Sequence, residues 1–94
     1  MFEERSTENR VKRMLQLLFD FKAPLEDRHK AAGNLVVLSK EEDGCEQIFR
    51  EAGPISLTRL LELEDKTIRL QCIRTIASIC KGHRARVRFQ QSYL

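Results

Sequence analysis

The sequence predicts an all-α chain made of two tandem helical repeats, and three observations predict it. Apolar residues recur in steps of three and four, which gathers them on one face of a helix. The 94 residues hold only two prolines and four glycines, too little punctuation for a loop-rich β fold. The chain also matches itself when shifted by 41 or 42 residues.

The first helix is expected over residues 7–21, after a flexible segment 1–6. Val11, Met14, Leu15, Leu18 and Phe19 form its stripe, and Ser6 or Thr7 can cap it by accepting from a first-turn amide. Pro24 ends this run, because the residue before a proline avoids the helical region. Pro24 can then open a second helix over 25–39, with Glu26 and Asp27 where the helix dipole favours negative charge. Ala31, Ala32, Leu35, Val36 and Leu38 supply its apolar face. Gly33 costs up to about 1 kcal/mol there against alanine and is expected to permit a close helix contact.

Two short helices follow, 43–52 with Cys45, Ile48 and Phe49, and 54–63 with Ile55, Leu57, Leu60 and Leu61. Gly53 separates them, since glycine readily takes the left-handed conformation that stops a helix. Glu64-Asp65 makes a turn. The last long helix runs over 66–81 and carries Ile68, Leu70, Cys72, Ile73, Ile76, Ile79 and Cys80 up to Gly82. Val87 and Phe89 give 84–91 a fainter helical spacing.

Composition excludes several classes. Hydrophobic residues make up 41% and recur with a period, which argues against disorder. No apolar run approaches the roughly 20 residues of a membrane span. The start Met1-Phe2-Glu3-Glu4-Arg5 lacks the order of a secretory signal, so the expected location is cytoplasmic. Of the net charge of +3, Lys81, Arg84, Arg86 and Arg88 contribute +4, leaving −1 on the first eighty residues. A short basic tail on a near-neutral body is read as solvated, so nucleic acid is not an expected partner.

The chemistry-bearing residues point away from an enzyme. Cys45, Cys72 and Cys80 are odd in number and irregularly spaced, which reads as buried small hydrophobes in a reducing compartment. Cys72 and Cys80 lie two helical turns apart, beyond the ~7 Å between Cα atoms that a disulfide spans. Cys80, His83 and His29 make no paired ligand motif, so no metal is expected. No serine sits in a nucleophile elbow and no glycine-rich phosphate loop is present. Glu41-Glu42-Asp43 reads as a solvated helix start. No catalytic residue and no cofactor are assigned.

The internal repeat organises the rest. Ala31-Ala32 falls on Cys72-Ile73, and Leu35 to Ser39 falls on Ile76 to Cys80. With one extra residue, Leu15, Leu18 and Phe19 fall on Leu57, Leu60 and Leu61. A period just above forty, from one short and two longer helices, is that of armadillo and HEAT repeats. The entry after Gly53 and the small-and-leucine pattern from Cys72 to Cys80 resemble armadillo repeats, implying a right-handed superhelix of about two repeats, 7–40 and 43–82, with 83–94 a basic tail or the start of a third. Such solenoids bind partners along the surface lined by the third helices. The register puts Lys30, Gly33, Val37, Gln71, Arg74 and Ser78 there as candidate partner-binding residues. Peptide-clamping armadillo proteins carry asparagine where this chain has Val37 and Ser78, so that mode of binding is not implied. Val11, Met14 and Leu18 are expected to face an earlier element, and Ile79, Val87 and Phe89 a later one. Two repeats with open ends predict a marginal monomer or a self-associating one.

A more specific likeness lies in Arg28 to Ala32, Asn34 to Leu38, Glu41-Glu42, Gly44, Glu46, Ile48-Phe49, Gly53, Arg74 to Ile76, Ile79-Cys80 and Gly82 to Arg86. With polar and loop residues as well as the apolar frame, Val11 to Val87 resembles the start of the central armadillo region of the UCS-type myosin chaperones. The resemblance implies a non-catalytic protein-interaction module whose full-length family partners are the myosin motor domain and the 90-kDa heat-shock chaperone. The family's tetratricopeptide domain does not fit in residues 1–10, and its UCS domain has no counterpart here. The chain is therefore expected to be a fragment or a short alternative product.

Overall fold

A computed structural model describes residues 2–82, with side chains from Asn9 onward. The readings at His83, Val87, Phe89 and the 84–91 helix lie outside the described residues. Four helices follow one another: α1 (Phe2–Phe19), α2 (Leu25–Ser39), α3 (Glu42–Leu60) and α4 (Lys66–Lys81), with no strand among the described residues.

α2 and α4 match their expected bounds. α1 does not: it begins at Phe2 rather than at 7, so Ser6 and Thr7 lie inside the helix rather than at its start. It also stops at Phe19 rather than 21. The amide of Lys22 donates to Asp20 Oδ1 at 3.1 Å, and this local side-chain turn replaces the next helical bond. Pro24 sits one position before α2, in extended geometry (φ −55, ψ 135), and its carbonyl accepts from the Arg28 amide.

α3 is two helices joined by a kink at Gly53, as the glycine signal implied. Gly53 holds φ 74 and ψ 166, a conformation costly for any residue with a Cβ, and Pro54 after it has no amide to donate. The second piece ends at Leu60 rather than 63, where the amides of Leu61 and Glu62 tighten onto Thr58 and Arg59 carbonyls. Leu63 nevertheless packs into the core from the connection.

Gly44 closes the α2–α3 turn. A Cβ there would overlap the Leu38 carbonyl oxygen, so only glycine lets the two helices meet this closely. Gly33 plays no such part. The nearest atom to a Cβ at Gly33 would be Gln71 Nε2 at 4.0 Å, ordinary contact, so the expected close helix approach does not occur.

The core runs through both halves of the chain. Val11, Leu18, Leu35, Ile48, Leu57, Leu60, Ile68 and Ile79 are fully buried. α2 packs most extensively on α4, and α1 packs on α2 and α3. This corrects the expectation that Val11, Met14, Leu18 and Ile79 face outward to further elements, since all four residues are buried. Among the described residues, the exposed large apolar ones are instead Phe21, Leu25, Val37, Ile55, Leu61, Leu70 and Ile73. Of the cysteines, Cys45 and Cys72 are buried as expected, but Cys80 is exposed on the outer side of α4.

Candidate partner-binding surface

The six candidate residues fall on two neighbouring helices. Lys30, Gly33 and Val37 follow one another by three and four along α2, and Gln71, Arg74 and Ser78 do so along α4. The structure brings the two sets together at Gly33 and Gln71, where the Gln71 amide nitrogen faces the bare glycine. Arg74 Nη1 donates to Gln71 Oε1 at 3.3 Å, so these two polar groups form one ridge. Lys30 Nζ lies 3.7 Å from Glu26 Oε1 in a solvent-exposed pair, which screening leaves weak. Val37 is 64% exposed, and Ser78 is half-buried. The ridge therefore offers cations at Lys30 and Arg74, an amide at Gln71 and an apolar point at Val37. Such a mixture suits reversible protein contact better than bond chemistry.

Periodicity alone did not reveal the residues that hold this ridge in place. His29 Nε2 on α2 hydrogen-bonds Asp65 Oδ2 at 2.8 Å, and the same oxygen accepts from the Ile68 amide at 2.9 Å. Asp65 thus caps α4 and ties it to α2. The Ile68 amide, and after it His29, hold the Asp65 carboxyl below its ordinary value of 3.8, against the opposing effect of desolvation.

Two arginines perform one task at equivalent positions. Arg28 Nη2 donates to the Leu18 carbonyl at 2.8 Å, at the end of α1. Arg69 Nη1 donates to the Leu63 and Glu64 carbonyls at 2.9 and 2.8 Å, just past α3. Each guanidinium satisfies carbonyls that the end of the preceding helix and its turn leave open. Their 41-residue spacing equals the internal repeat and was the signal that could have found them. Arg28 is buried, and its guanidinium carbon lies 5.2 Å from the Phe21 ring centroid, a cation–π distance. Its Nε–H has no acceptor, which offsets part of that gain. Arg28, Phe21, Arg59, Leu63 and Glu64 line a groove of about 680 Å³ between the α1–α2 and α3–α4 turns.

The buried thiols stay protonated at neutral pH. Burial pushes Cys72 up to about 11, and burial together with nearby Glu46 raises Cys45. No helix among the described residues is long and apolar enough to cross a membrane.

Comparison with known proteins finds relatives that share one name. Over 81 residues, 86% of the chain, it is 46% identical to the protein unc-45 homolog B of Xenopus tropicalis. The same stretch is 41% identical to the human protein of that name and 42% identical to that of Danio rerio. The chain spans about 9% of the length of these curated relatives. No protein-family model matches it, and no solved structure matches it. The likeness supports a kinship with the unc-45 type of protein over this stretch.

Proposed function

We propose that the chain is a non-catalytic protein-interaction module of a myosin co-chaperone that cooperates with the 90-kDa heat-shock chaperone in folding and assembling myosin. The observation that carries this reading is the 40–46% identity to unc-45 homolog B proteins over 81 residues. The segment corresponds to the start of the armadillo region, forms part of its right-handed superhelix and works in the cytoplasm. The structure supports this reading with a firmly held α2–α4 pair that displays Lys30, Gly33, Val37, Gln71, Arg74 and Ser78 on one side. Client contact falls on this ridge, and the 90-kDa chaperone is engaged by other parts of the family protein.

A chimera tests the proposal. The matched segment of a full-length relative is replaced by residues of this chain, and heat aggregation of a myosin motor domain is followed by light scattering. The chimera should protect the motor as the parent does. Replacing Lys30 and Arg74 with glutamate and Gln71 and Ser78 with alanine should weaken protection several-fold at unchanged helix content. Equal protection by the substituted chimera would leave the segment a spacer that only sets the distance between its neighbours.

A further inference from the structure

The first helix pair carries a groove at a position that the second pair keeps filled. By the 41-residue register, Ile68, Cys72, Thr75 and Ile79 of α4 correspond to Asp27, Ala31, Asn34 and Leu38 of α2. The four α4 residues are buried, and the helix that α4 packs on most extensively is α2. On α2, Asp27, Ala31 and Asn34 instead line an open groove of about 330 Å³. Met14 and Leu17 of α1 complete its apolar floor, and Arg10, Arg13 and Lys30 line it as cations. Arg10 and Arg13 are both exposed.

The two registers differ in kind. Asp27 stands where α4 has Ile68, and Asn34 stands where it has Thr75. The face that is a permanent core contact on α4 is thus charged and polar on α2. Arg10 and Arg13, beside a Lys30 paired to Glu26 and the single lining carboxylate Asp27, also give it a net positive sign. A polar, charged rim around a small apolar centre is the make-up of an interface that forms and separates.

We infer that this groove docks an acidic amphipathic helix of another protein. The occupant is a helix because α4, whose corresponding residues are all buried, packs most extensively on one, α2. It is acidic because Arg10 and Arg13 flank the floor and need opposite charge to be brought out of water. Its small apolar stripe lies on Met14, Leu17 and Ala31, the helix-in-groove mode of recognition. A second copy of this chain fits poorly. The apolar stripe it could offer, Leu70, Ile73 and Ala77, is flanked by Lys66, Arg74 and Lys81 at helical spacing, and like charges would meet. Nucleic acid fits poorly as well, with Asp27 on the rim and no aromatic ring in the lining to stack on. This surface shares only Lys30 with the ridge proposed for client contact, so the two can fail separately.

The test uses the 94-residue chain and a fluorescent alanine-based helical peptide of about 18 residues. One version carries a leucine stripe flanked by glutamates, and the other has lysines in their place. Fluorescence anisotropy should show the glutamate peptide binding about tenfold tighter or more, with the gap narrowing as salt rises. The Arg10→Glu/Arg13→Glu chain should lose that preference and favour the lysine peptide, a reversal that unfolding cannot produce. Lys22→Glu, outside the groove, should change neither affinity. Equal affinity for the two peptides, or an unchanged preference in the double variant, would overturn the proposal. So would displacement by a short oligonucleotide as readily as by unlabelled peptide, or a concentration-dependent dimer that the double variant abolishes.

Discussion

Ala32 and Ile73 hold the same register in α2 and α4, yet Ala32 is 1% exposed and Ile73 is 52% exposed. The larger and more apolar side chain is the one left in water. Ser39 and Cys80 differ in the same sense, the serine buried and the thiol exposed. The cause is position in the stack. α2 packs extensively on α1, α3 and α4, whereas α4 packs extensively on α2 and α3 and only marginally on α1. In tandem repeats, burial is set by whether a neighbour lies on that side, and residue type follows only loosely.

Substitutions along the two helices can break this comparison. Leu35→Ala removes a fully buried side chain from α2 and should cost about 2–5 kcal/mol in denaturant unfolding. Ile73→Ala on α4 should stay within about 0.5 kcal/mol of the parent. An equal loss at both sites would mean that the outer side of α4 is covered after all.

The two glycines of the first repeat and its turn sharpen the contrast. Gly44→Ala forces a Cβ onto the Leu38 carbonyl and should cost about 1–3 kcal/mol, read as a lowered thermal midpoint. Gly33→Ala meets no close atom and should stabilise α2 by up to about 1 kcal/mol. Arg28→Met and Arg69→Met then compare the two carbonyl clamps. Arg28 is buried and should cost about 1.5–3 kcal/mol, and the less enclosed Arg69 should cost less because water can take its place.

Two smaller effects concern protons. The folded Asp65 carboxyl is held below 3.8, so the stability it contributes is complete above that pH and drains away as pH falls through the lower folded value. An Asp65→Asn chain, which keeps a capping oxygen, should therefore lose less stability than the parent between about pH 5 and pH 2. A steeper loss in the variant would contradict a carboxyl held low by the Ile68 amide and His29. Finally, a thiol reagent at about pH 8 should modify Cys80 quickly, and Cys45 and Cys72 only at the rate of unfolding. Fast reaction at Cys72 would be at odds with a thiol pushed up to about 11.

Sequence legibility followed the same division between local and distant causes. α2 and α4 could be read to the residue because Pro24, Asp65 and Gly82 mark their ends in the chain itself. The end of α1 was missed because a side-chain turn at Asp20 decides it, and that competes with a helical pattern running on to Phe21. The start was missed because Ser6 and Thr7 fit a cap as well as they fit a helix interior. The six candidate residues lie on α2 and α4, where Gly33 and Gln71 stand opposite each other. The His29–Asp65 bond joins residues 36 positions apart and leaves no trace in any local period. The outward turn of Leu70 and Ile73 was equally hidden, because an apolar pattern does not say whether a neighbour stands opposite.

One side chain also governs how the molecule comes apart. In a linear array each repeat can open by itself, at a cost set by its own stability and one interface. Here the first-turn amide of α4 depends on an oxygen that His29 of α2 also holds. Fraying α4 from its beginning means releasing α2 as well. Deuterium exchange should therefore find the Ile68 amide as slow as the mid-helix amides of α2, the two repeats opening as a single cooperative unit.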